Sequence, residues 1–446
     1  MDRIRKKRKF IIVLAVLAAA LAAEACIFAA IRIRDGSGRK DNENRAAETA
    51  EEQAAETSEA PSAESDAPVC TLVLASDYQA EEGFPDPAET FAGLLRSVKA
   101  DGRTADNVII CGDYTNDDDL YNYELSPDAS MEEIREIIGK ELPGVPQEDI
   151  IFVQGNHDAL TDAVSESGLH KYDDYLVYVL NTQYDFPWMQ GRDAAFRDRV
   201  IAASETMKEC FDGLIAKGET RPVFIAGHVP LHFTARTSSR HTTGDNMYSA
   251  YIFDVVNEAA KDLDIIYLFG HDHSKGWDCY LGGASIYRAP GDSILIPDAE
   301  GRTGSTDEYT EETLDFTYMN AGYTGYYMNC APEEYSSDED SPYHAADETL
   351  TCTTAEIYPD RIVITRFDQR GVHVLGAAGE ADPYRGGIDE GLIGPEHHSK
   401  ETAGPAVIKR KSAFKSGTIR TDGKNRDEED EEKDKDKDKD KEKDAA

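Results

Sequence analysis

The segment DIIFVQGNHD, residues 149–158, joins a run of apolar residues directly to a group of polar ones. The apolar half is rich in Ile, Val and Phe, which favour a buried strand. Gly155 permits a sharp change of chain direction, and Asn156, His157 and Asp158 follow it at once. The segment therefore predicts a strand in a covered sheet with reactive side chains at its carboxyl end.

Four other segments have the same design, an apolar run followed by Asp, Gln, Asn or His. They are TLVLASDYQ (71–79), NVIICGDYTN (107–116), RPVFIAGHVPLH (221–232) and DIIYLFGHDHS (264–274). One polar residue after a strand would mean little, because loops are polar in general. Ligands of open α/β sheets bind beyond the carboxyl ends of the strands, so the polar groups of all five segments are expected to converge.

Stretches with apolar residues at helical spacing lie among these strands, at 87–100, 131–142 and 192–218. Strands that alternate with helices predict an α/β fold. After His273 the pattern changes to strands without long helices, in GASIYRA (283–289), TYMNAGY (317–323), TCTTAEIYP (351–359) and DRIVITRFD (360–368). A second sheet is therefore expected to pack on the first.

The converging side chains offer oxygen and imidazole donors, and no cysteine is among them. Such donors suit Mn, Fe, Zn or Mg ions. One shared carboxylate can hold two cations close enough to grip a single phosphate. The pattern thus predicts a metal centre that acts on phosphoryl groups.

The ordered motifs DYQ, GDYTN, GNHD, GHVPLH and GHDHS resemble the calcineurin-like metallophosphoesterase family. That family has DxH, GDxxD, GNH followed by Asp or Glu, a lone His, and GHxH. The resemblance extends from Asp77 to His273. It implies a four-layer αββα sandwich of two packed mixed β-sheets flanked by helices, and an enzyme that hydrolyses phosphate mono- or diesters.

The resemblance also implies two divalent metal ions and assigns their ligands. The first ion would be held by Asp77, Gln79, Asp113 and His273. The second would be held by Asp113, Asn156, His228 and His271. The shared carboxylate would bridge the ions, and a metal-bound water or hydroxide would lie between them, placed for in-line attack on phosphorus.

Two further residues are assigned catalytic roles by the resemblance. His157 would donate a hydrogen bond or proton to the phosphate or to the leaving oxygen, and Asp158 would orient its ring. His232 lies close to His228 in sequence and is the residue most easily mistaken for the ligand. The GH motif shortly before a proline favours His228.

The sequence departs from the family pattern at two positions. Gln79 stands where the family usually has His, and Asn116 where it often has a second Asp. A neutral amide oxygen suits hard cations, so the first site is expected to be weaker or to prefer Mn or Mg over Zn. The alternative function is a catalytically weak or inactive metallophosphoesterase-like surface scaffold or binding protein.

The amino-terminal end predicts attachment to a membrane. Residues 1–9 are strongly basic. Within the expected anchor, residues 10–32, the chain is almost wholly apolar from Phe10 to Ile31 apart from Glu24. About 20 helical residues span a bilayer, and the basic flank stays in the cytoplasm. We therefore expect a single-pass signal anchor at the cell membrane with an extracytoplasmic catalytic domain. A cleaved signal peptide is the competing interpretation.

Composition divides the rest of the chain into three parts. Residues 33–68 are expected to form a disordered Ala/Glu-rich stalk, residues 69–377 the metallophosphoesterase domain, and residues 378–446 a disordered charged tail. The formal net charge of -40 disfavours nucleic acid, because binding a polyanion requires basic side chains. The expected partner is a small phosphorylated substrate. The basic stretch at 407–420 could also contact anionic envelope polymers.

Three other features leave alternatives open. The seven cysteines include no CxxC pair, and they could be buried thiols or form disulfides, of which Cys330–Cys352 closes the shortest loop. TYMNAGYTGYY (317–327) could approach the mouth of the site or pack in the second sheet. The acidic stretch from Asp292 to Asp315 is expected to be an inserted loop.

Overall fold

The computed structural model describes residues 67–80, 87–115, 126–158, 163–182, 194–232, 248–271, 287–297, 309–325, 350–373 and 405–411. The predicted basic segment 1–9, the signal anchor 10–32 and nearly all of the stalk lie outside these residues. Among the helices that are described, none is long and apolar enough to cross a membrane.

The described chain contains four α-helices, a short 3-10 helix and fifteen strands. The α-helices are α1 (Pro87–Ala100), α2 (Pro127–Glu141), α3 (Ala194–Ala216) and α4 (Ser249–Ala259), and the 3-10 helix is Gln147–Asp149. The strands are β1 (Cys70–Ala75), β2 (Asn107–Ile110), β3 (Ile151–Phe152), β4 (Gly168–Lys171), β5 (Leu176–Leu180), β6 (Val223–Gly227), β7 (Ile265–Phe269), β8 (Tyr287–Arg288), β9 (Ser293–Pro297), β10 (Tyr309–Thr313), β11 (Thr317–Asn320), β12 (Cys352–Ile357), β13 (Arg361–Asp368), β14 (Gly371–His373) and β15 (Ala406–Lys409).

Two mixed sheets form the centre of the fold. The first has the strand order β14-β13-β12-β1-β2-β3, with β15 also paired to β13. The second has the order β4-β5-β6-β7-β11-β8. Strands β1, β2 and β3 are parallel, as are β5, β6, β7 and β11. Each sheet therefore presents several carboxyl strand ends at one edge.

The apolar residues form three buried layers. One cluster lies between the sheets and includes Leu72 of β1 and Leu268 of β7. The other two lie on the outer faces, where α1 and α2 cover the first sheet and α3 and α4 cover the second. This arrangement confirms the predicted four-layer sandwich of two mixed sheets flanked by helices.

The helices bury the faces that their sequence spacing predicts. In α1 the residues Phe91, Leu94, Leu95 and Val98 are all buried, at the i, i+3, i+4, i+7 spacing of a single helical face. Helix α2 begins where the side chain of Ser126 accepts a hydrogen bond from the backbone N–H of Ala129. Local signals therefore specify these two helices before any long-range contact forms.

The division of strands between the sheets differs from the sequence expectation. The early strands do not form one sheet that the late strands then cover: β1 to β3 belong to the first sheet, and β6 and β7 to the second. The late strands β12 and β13 extend the first sheet, whereas β8 and β11 extend the second. Strand β5, a fully buried LVYVL, was missed although its apolar run resembles the others. Apolar runs predict strands but do not specify their neighbours.

The expectation that residues 292–315 form an inserted loop is wrong at both ends of that segment, which are strands. Strands β9 and β10 pair antiparallel, from Ser293↔Thr313 to Pro297↔Tyr309. Ile294 and Ile296 are buried in the cluster beneath α3 and α4. Alternating Ile residues in an acidic stretch provide one apolar face, which is enough to anchor a hairpin.

The predicted end of the domain at residue 377 is also wrong. Residues 405–411 return to the first sheet, where β15 pairs antiparallel with β13 and Ala406 is buried. The Arg410 guanidinium donates to the carbonyls of Tyr358 and Thr220, which belong to different layers of the sandwich. This stretch was predicted to belong to a disordered tail, but the two carbonyls and the nearby carboxylate of Asp264, 3.5 Å from Arg410 Nε, hold it against the fold. The rest of the predicted tail lies outside the described residues.

The described cysteines carry free thiols. Cys70, Cys111 and Cys352 are buried and Cys210 is partly buried. The structure therefore contradicts the Cys330–Cys352 disulfide at Cys352, while Cys330 itself lies outside the described residues. Burial raises the pKa of the Cys111 thiol, which keeps it protonated in the core between the sheets.

Candidate metal centre

The polar segments after five strands meet where the two sheets present their carboxyl ends. Backbone hydrogen bonds join the segments: the N–H of Asp77 donates to Gly112 O at 2.9 Å, and that of Gln79 to Asp113 O at 2.9 Å. Within the second sheet, the N–H of Gly270 donates to His228 O at 3.0 Å, and between the sheets the N–H of His271 lies 3.1 Å from Asp77 Oδ2. The predicted convergence is therefore present, and it spans both sheets.

Four residues of this region have left-handed backbone conformations. They are the only non-glycine residues with positive φ in the described chain, and all were predicted as metal ligands: Asp77 (53°), Gln79 (44°), Asp113 (58°) and His271 (66°). Such conformations cost about 1–3 kcal/mol each and persist where the surroundings impose them. The strained backbone at these strand ends therefore indicates a functional site.

The glycines of the motifs allow the segments to approach closely. A β-carbon at Gly155 would collide with the backbone and the carboxylate of Asp113. A β-carbon at Gly270 would collide with Ser76 Oγ and lie 2.7 Å from Asp77 Oδ2. Glycine is therefore required in GNHD and GHDHS because carboxylates occupy the space that a side chain would need.

Asp113 lies at the centre of the site and is fully buried. Its Oδ1 accepts the backbone N–H of His157 at 2.9 Å. Its Oδ2 lies 3.1 Å from His228 Nε2 and 3.4 Å from Gln79 Nε2. One carboxylate oxygen thus faces a residue of each predicted ligand set, which is the placement that a bridging ligand needs.

The four residues of the second predicted set are in mutual contact. Asn156 Oδ1 lies 3.0 Å from His228 Nε2 and 2.7 Å from His271 Nδ1. One donor atom from each of Asp113, His228 and His271 lies within 4.8 Å of the others. This set of two oxygens and two imidazole nitrogens fits a divalent transition metal.

A second contact defines which nitrogen of His228 is available. Its Nδ1 lies 2.6 Å from the carbonyl oxygen of Cys111, which can only accept a hydrogen bond. The Nδ1–H therefore donates to that carbonyl and Nε2 faces the other donor atoms. A backbone carbonyl that orients an imidazole in this way is a common support of metal ligands.

Asp113 and His228 form a buried electrostatic pair. Burial alone would raise the pKa of Asp113, but the charges of His228 and His157 outweigh it and lower that pKa. Burial alone would lower the pKa of His228, but the carboxylate of Asp113 outweighs it and raises that pKa to about 9. The buried carboxylate of Asp113 therefore favours positive charge beside it, which is the electrostatic environment that a metal ion needs.

Two residues of the first predicted set, Asp77 and Gln79, contact residues of the second set. Both oxygens of Asp77 lie near the backbone N–H of His271, at 3.2 and 3.1 Å. Gln79 is 2% exposed, and its Oε1 has no hydrogen-bond partner in the described chain. A buried acceptor without a donor is costly unless a cation binds it, so these residues fit a metal ion. His273 and Asn116 lie outside the described residues.

Asp158 does not orient the ring of His157, contrary to the sequence prediction. Its Oδ2 accepts the backbone N–H of Asp113 at 2.8 Å and of Gly155 at 2.7 Å, and its Oδ1 accepts that of Tyr114 at 2.8 Å. Burial, reinforced by the charge of Asp113, raises the pKa of Asp158 to about 7. The backbone N–H groups at these strand ends need acceptors, and Asp158 accepts three of them.

The structure distinguishes the two histidines of GHVPLH. His228 contacts Asp113 and Asn156, whereas the Nδ1 of His232 lies 2.7 Å from the hydroxyl of Tyr318. The ring of His232 also packs against Phe269, with ring centroids 5.5 Å apart. His232 is thus part of the packing of the second sheet, and the motif interpretation chose the histidine that faces the centre.

The sequence left open whether the segment TYMNAGYTGYY approaches the site or packs in the second sheet, and the structure shows that it supports the Asp77 loop. The backbone N–H and hydroxyl of Thr324 both donate to Ser76 O at 3.1 Å, and the N–H of Gly325 donates to Asp77 O at 2.8 Å. Both residues belong to TYMNAGYTGYY, whose first part is β11. The described part of this segment therefore packs in the sheet and also holds a predicted ligand loop. Its Gly-rich turn was the available signal.

Comparison with known proteins agrees with this geometry. The family model of the calcineurin-like phosphoesterases matches residues 71–275, which include every predicted site residue. No curated protein matches the chain in sequence.

Two solved structures are similar to the chain at low identity. A dimetal phosphatase from Danio rerio has 12% identity, covers 69% of this chain and 99% of its own, and gives a TM-score of 0.36. A purple acid phosphatase from yellow lupin (Lupinus luteus) seeds has 10% identity, covers 68% of this chain and 52% of its own, and gives a TM-score of 0.37. The family match, and not these distant structures, identifies the domain. Residues 71–275 therefore form a calcineurin-like phosphoesterase domain, which supports the assignment of the protein as a phosphoric ester hydrolase.

Proposed function

We propose that this protein hydrolyses phosphate mono- or diesters of small molecules at a centre of two divalent metal ions. The observation that carries the proposal is the position of Asp113, whose Oδ2 lies 3.1 Å from His228 Nε2 and 3.4 Å from Gln79 Nε2. A carboxylate that contacts a predicted ligand of each ion can join two ions at a distance that suits one phosphate. The metals are Mn, Fe, Zn or Mg.

Bound ions would supply Lewis-acid polarisation of the phosphoryl oxygens and would lower the pKa of water. The side chains of the protein would bind these ions. Asp113, Asn156, His228 and His271 would hold one ion, and Asp77, Gln79, Asp113 and His273 the other. The strained backbone at the strand ends keeps these side chains in position before substrate arrives.

His157 is the residue that would act on the substrate. It and Asn156 are partly exposed, while the other described site residues are buried. Substrate would therefore approach from the side of these two residues. The backbone of His157 is held by Asp113 Oδ1, so its ring starts from a defined point beside the bridging carboxylate. From there it would donate a hydrogen bond or proton to the phosphate or leaving oxygen.

The experiment that tests the function compares two chromogenic substrates, p-nitrophenyl phosphate and bis(p-nitrophenyl) phosphate, with the purified full chain and added Mn. Asp113→Asn keeps the size of the side chain but removes its charge, and hydrolysis is expected to fall to background. Asp198→Asn, on the surface of α3, is the matched control and should keep full activity. The preferred chromogen would identify the ester class.

Background rates in the wild-type chain with both substrates would contradict the proposal. They would favour the alternative, a surface scaffold built on a phosphoesterase fold. Loss of activity in both Asp variants would also count against the proposal, because it would show sensitivity to charge in general and not to the bridge.

For location, we propose a single-pass cell-membrane protein with an extracytoplasmic domain. The support is the basic segment 1–9 followed by the apolar stretch 10–32. In cells that express the full chain, the protein should stay with membranes after alkaline extraction, and protease added to cells whose outer layers are opened should degrade the domain. Release by alkaline extraction would contradict the anchor, and protection from protease would contradict the orientation.

A further inference from the structure

Strand β5 of the second sheet is followed by two polar residues, Asn181 and Thr182, that belong to neither predicted ligand set. Both are almost fully buried. The segment LVYVLNT (176–182) thus has the same design as the five site segments, an apolar run followed by polar side chains. Leu180 pairs with Gly227 of β6, so the two polar residues lie beside the strand end that carries His228.

The side chain of Asn181 joins the residues before and after the GNHD motif. Its Oδ1 accepts the backbone N–H of Gln154 at 2.8 Å, directly before the motif. Its Nδ2 donates to Ser165 O at 2.9 Å and lies 3.2 Å from Ser167 Oγ. The N–H of Ser165 in turn donates to Phe152 O of β3 at 2.8 Å. One amide from the second sheet therefore holds both flanks of a motif that follows a strand of the first sheet.

The hydroxyl of Thr182 holds the motif itself. Its Oγ1 lies 2.7 Å from Gly155 O and 3.0 Å from Gln154 O. A hydroxyl has one hydrogen to donate, and Gly155 O is the nearer acceptor. The N–H of Gly155 donates to Asp158 Oδ2 at 2.7 Å. Both polar backbone groups of this glycine are therefore held by side chains, one of which comes from the second sheet.

These contacts lie next to the residues that face the substrate. Asn156 and His157 follow Gly155 directly and are partly exposed. Residues 153–158 belong to no helix or strand, so no regular hydrogen-bond ladder fixes their backbone. The direction in which the ring of His157 starts is therefore set by the side chains that bind the turn. Thr182 and Asn181 supply two of those contacts.

We propose that Asn181 and Thr182 are positioning residues for phosphate-ester hydrolysis, which fix the GNHD turn from the second sheet so that His157 faces the substrate. The inference rests on the proposed function and goes beyond it, because neither residue is a predicted metal ligand. Both are buried and act through the backbone of the turn. The first sheet supplies the motif, and the end of β5 sets its orientation.

The test measures kcat, KM and bound metal of the purified full chain with Mn and the preferred chromogenic ester. Thr182→Val removes the hydroxyl but keeps the size of the side chain. It should lower kcat about 10- to 100-fold, because a displacement of about 1 Å at a catalytic group can cost about 100-fold in rate. KM and the metal content from elemental analysis should stay as in wild type. Thr182→Ser restores the hydroxyl and should restore kcat.

Thr365→Val is the matched control. Thr365 of β13 is also fully buried, but its hydroxyl has no hydrogen-bond partner within the described part of the chain. Loss of that hydroxyl should leave kcat unchanged. If Thr182→Val does not fold, Thr182→Ala and Thr182→Ser provide a second pair that differs only in the hydroxyl, and Thr182→Ala should show the loss of kcat.

A double-mutant cycle tests whether Thr182 acts through His157. Once His157→Ala has removed the ring, Thr182→Val has no ring left to misplace and should lower kcat little further. Denaturant unfolding of each variant separates this coupling from a loss of stability.

The outcomes distinguish this inference from the function on which it rests. Wild-type kcat in Thr182→Val, an equal loss of kcat with and without His157→Ala, or loss of bound metal would each overturn the positioning role while the wild-type chain still hydrolysed the ester. A wild-type chain without hydrolysis would overturn the proposed function, and this inference with it.

Discussion

Asp158 Oδ2 accepts the backbone N–H of Asp113 at 2.8 Å, so one buried carboxylate fixes the backbone of another. The same oxygen accepts the N–H of Gly155, and Oδ1 accepts that of Tyr114. Asp158 thereby ties the end of β2 to the GNHD turn. Asp158 is therefore a positioning residue: it acts by fixing the backbone N–H groups of Asp113, Tyr114 and Gly155, and it does not need to contact the substrate.

Replacement of Asp158 by Asn should weaken these hydrogen bonds without changing the size of the side chain. The amide group has one acceptor oxygen, so the N–H groups that now meet Asp158 cannot all be satisfied. A buried unsatisfied donor costs about 1–3 kcal/mol, and the free energy of unfolding, measured with denaturant, should fall by that order. Asp128→Asn, in the exposed first turn of α2, is the control. Equal stability of Asp158→Asn and wild type would contradict the role.

His157→Ala should lower kcat without removing metal. A proton donor contributes about 10²–10⁴-fold to a rate, and no predicted metal ligand is changed. The measurement pairs kcat for a phosphate ester with elemental analysis of bound metal. His170→Ala, on the edge strand β4, is the matched control and should leave both unchanged. If His157→Ala loses metal as well, the residue belongs to the ligand set instead.

Gly270→Ala should destabilise the protein and abolish activity, because a methyl group there collides with Ser76 Oγ and crowds Asp77 Oδ2. The Asp77 loop would have to move, at a cost of about 1–3 kcal/mol from overpacking.

Gly213→Ala is the control, for which the opposite effect on stability is expected. It lies inside α3 with nothing within 4 Å of the added carbon, so it should stabilise the fold by up to about 1 kcal/mol. A wild-type melting temperature for Gly270→Ala would disprove the collision.

Arg410→Ala should destabilise the domain although it is remote from the site in sequence. Its guanidinium donates to Tyr358 O and Thr220 O, and Nε lies 3.5 Å from Asp264 Oδ2. Loss of these buried partners should cost about 2–4 kcal/mol, measured by denaturant unfolding. Lys409→Ala, at an exposed position of β15, should have little effect. A chain that ends before residue 405 should be less stable than the full chain for the same reason.

Most of the described metal-ligand residues could be predicted from the order of residues in the sequence. Asp77, Gln79, Asp113, Asn156, His228 and His271 each follow an apolar run, and the structure brings all six together. The role of Asp158 could not be read, because the N–H groups of Asp113 and Tyr114 that it accepts lie 45 and 44 residues away in the chain. For the same reason the sequence only left open whether the segment with Thr324 and Gly325 approaches the site, and it did not predict their contacts with Ser76 and Asp77.

The sequence by itself determined the local elements and the chemistry at their ends. Helical spacing in α1, the apolar runs of β1, β2, β6 and β7, and the polar residues that follow them are local properties, so short windows of sequence contain them. Only the tertiary structure decided which strands are neighbours, which backbone N–H groups Asp158 accepts, and that residues 405–411 rejoin the fold. These outcomes depend on hydrogen bonds between distant residues, such as Cys111 O with His228, 117 positions apart. Such a hydrogen bond stabilises the protein only after the fold has brought its donor and acceptor together.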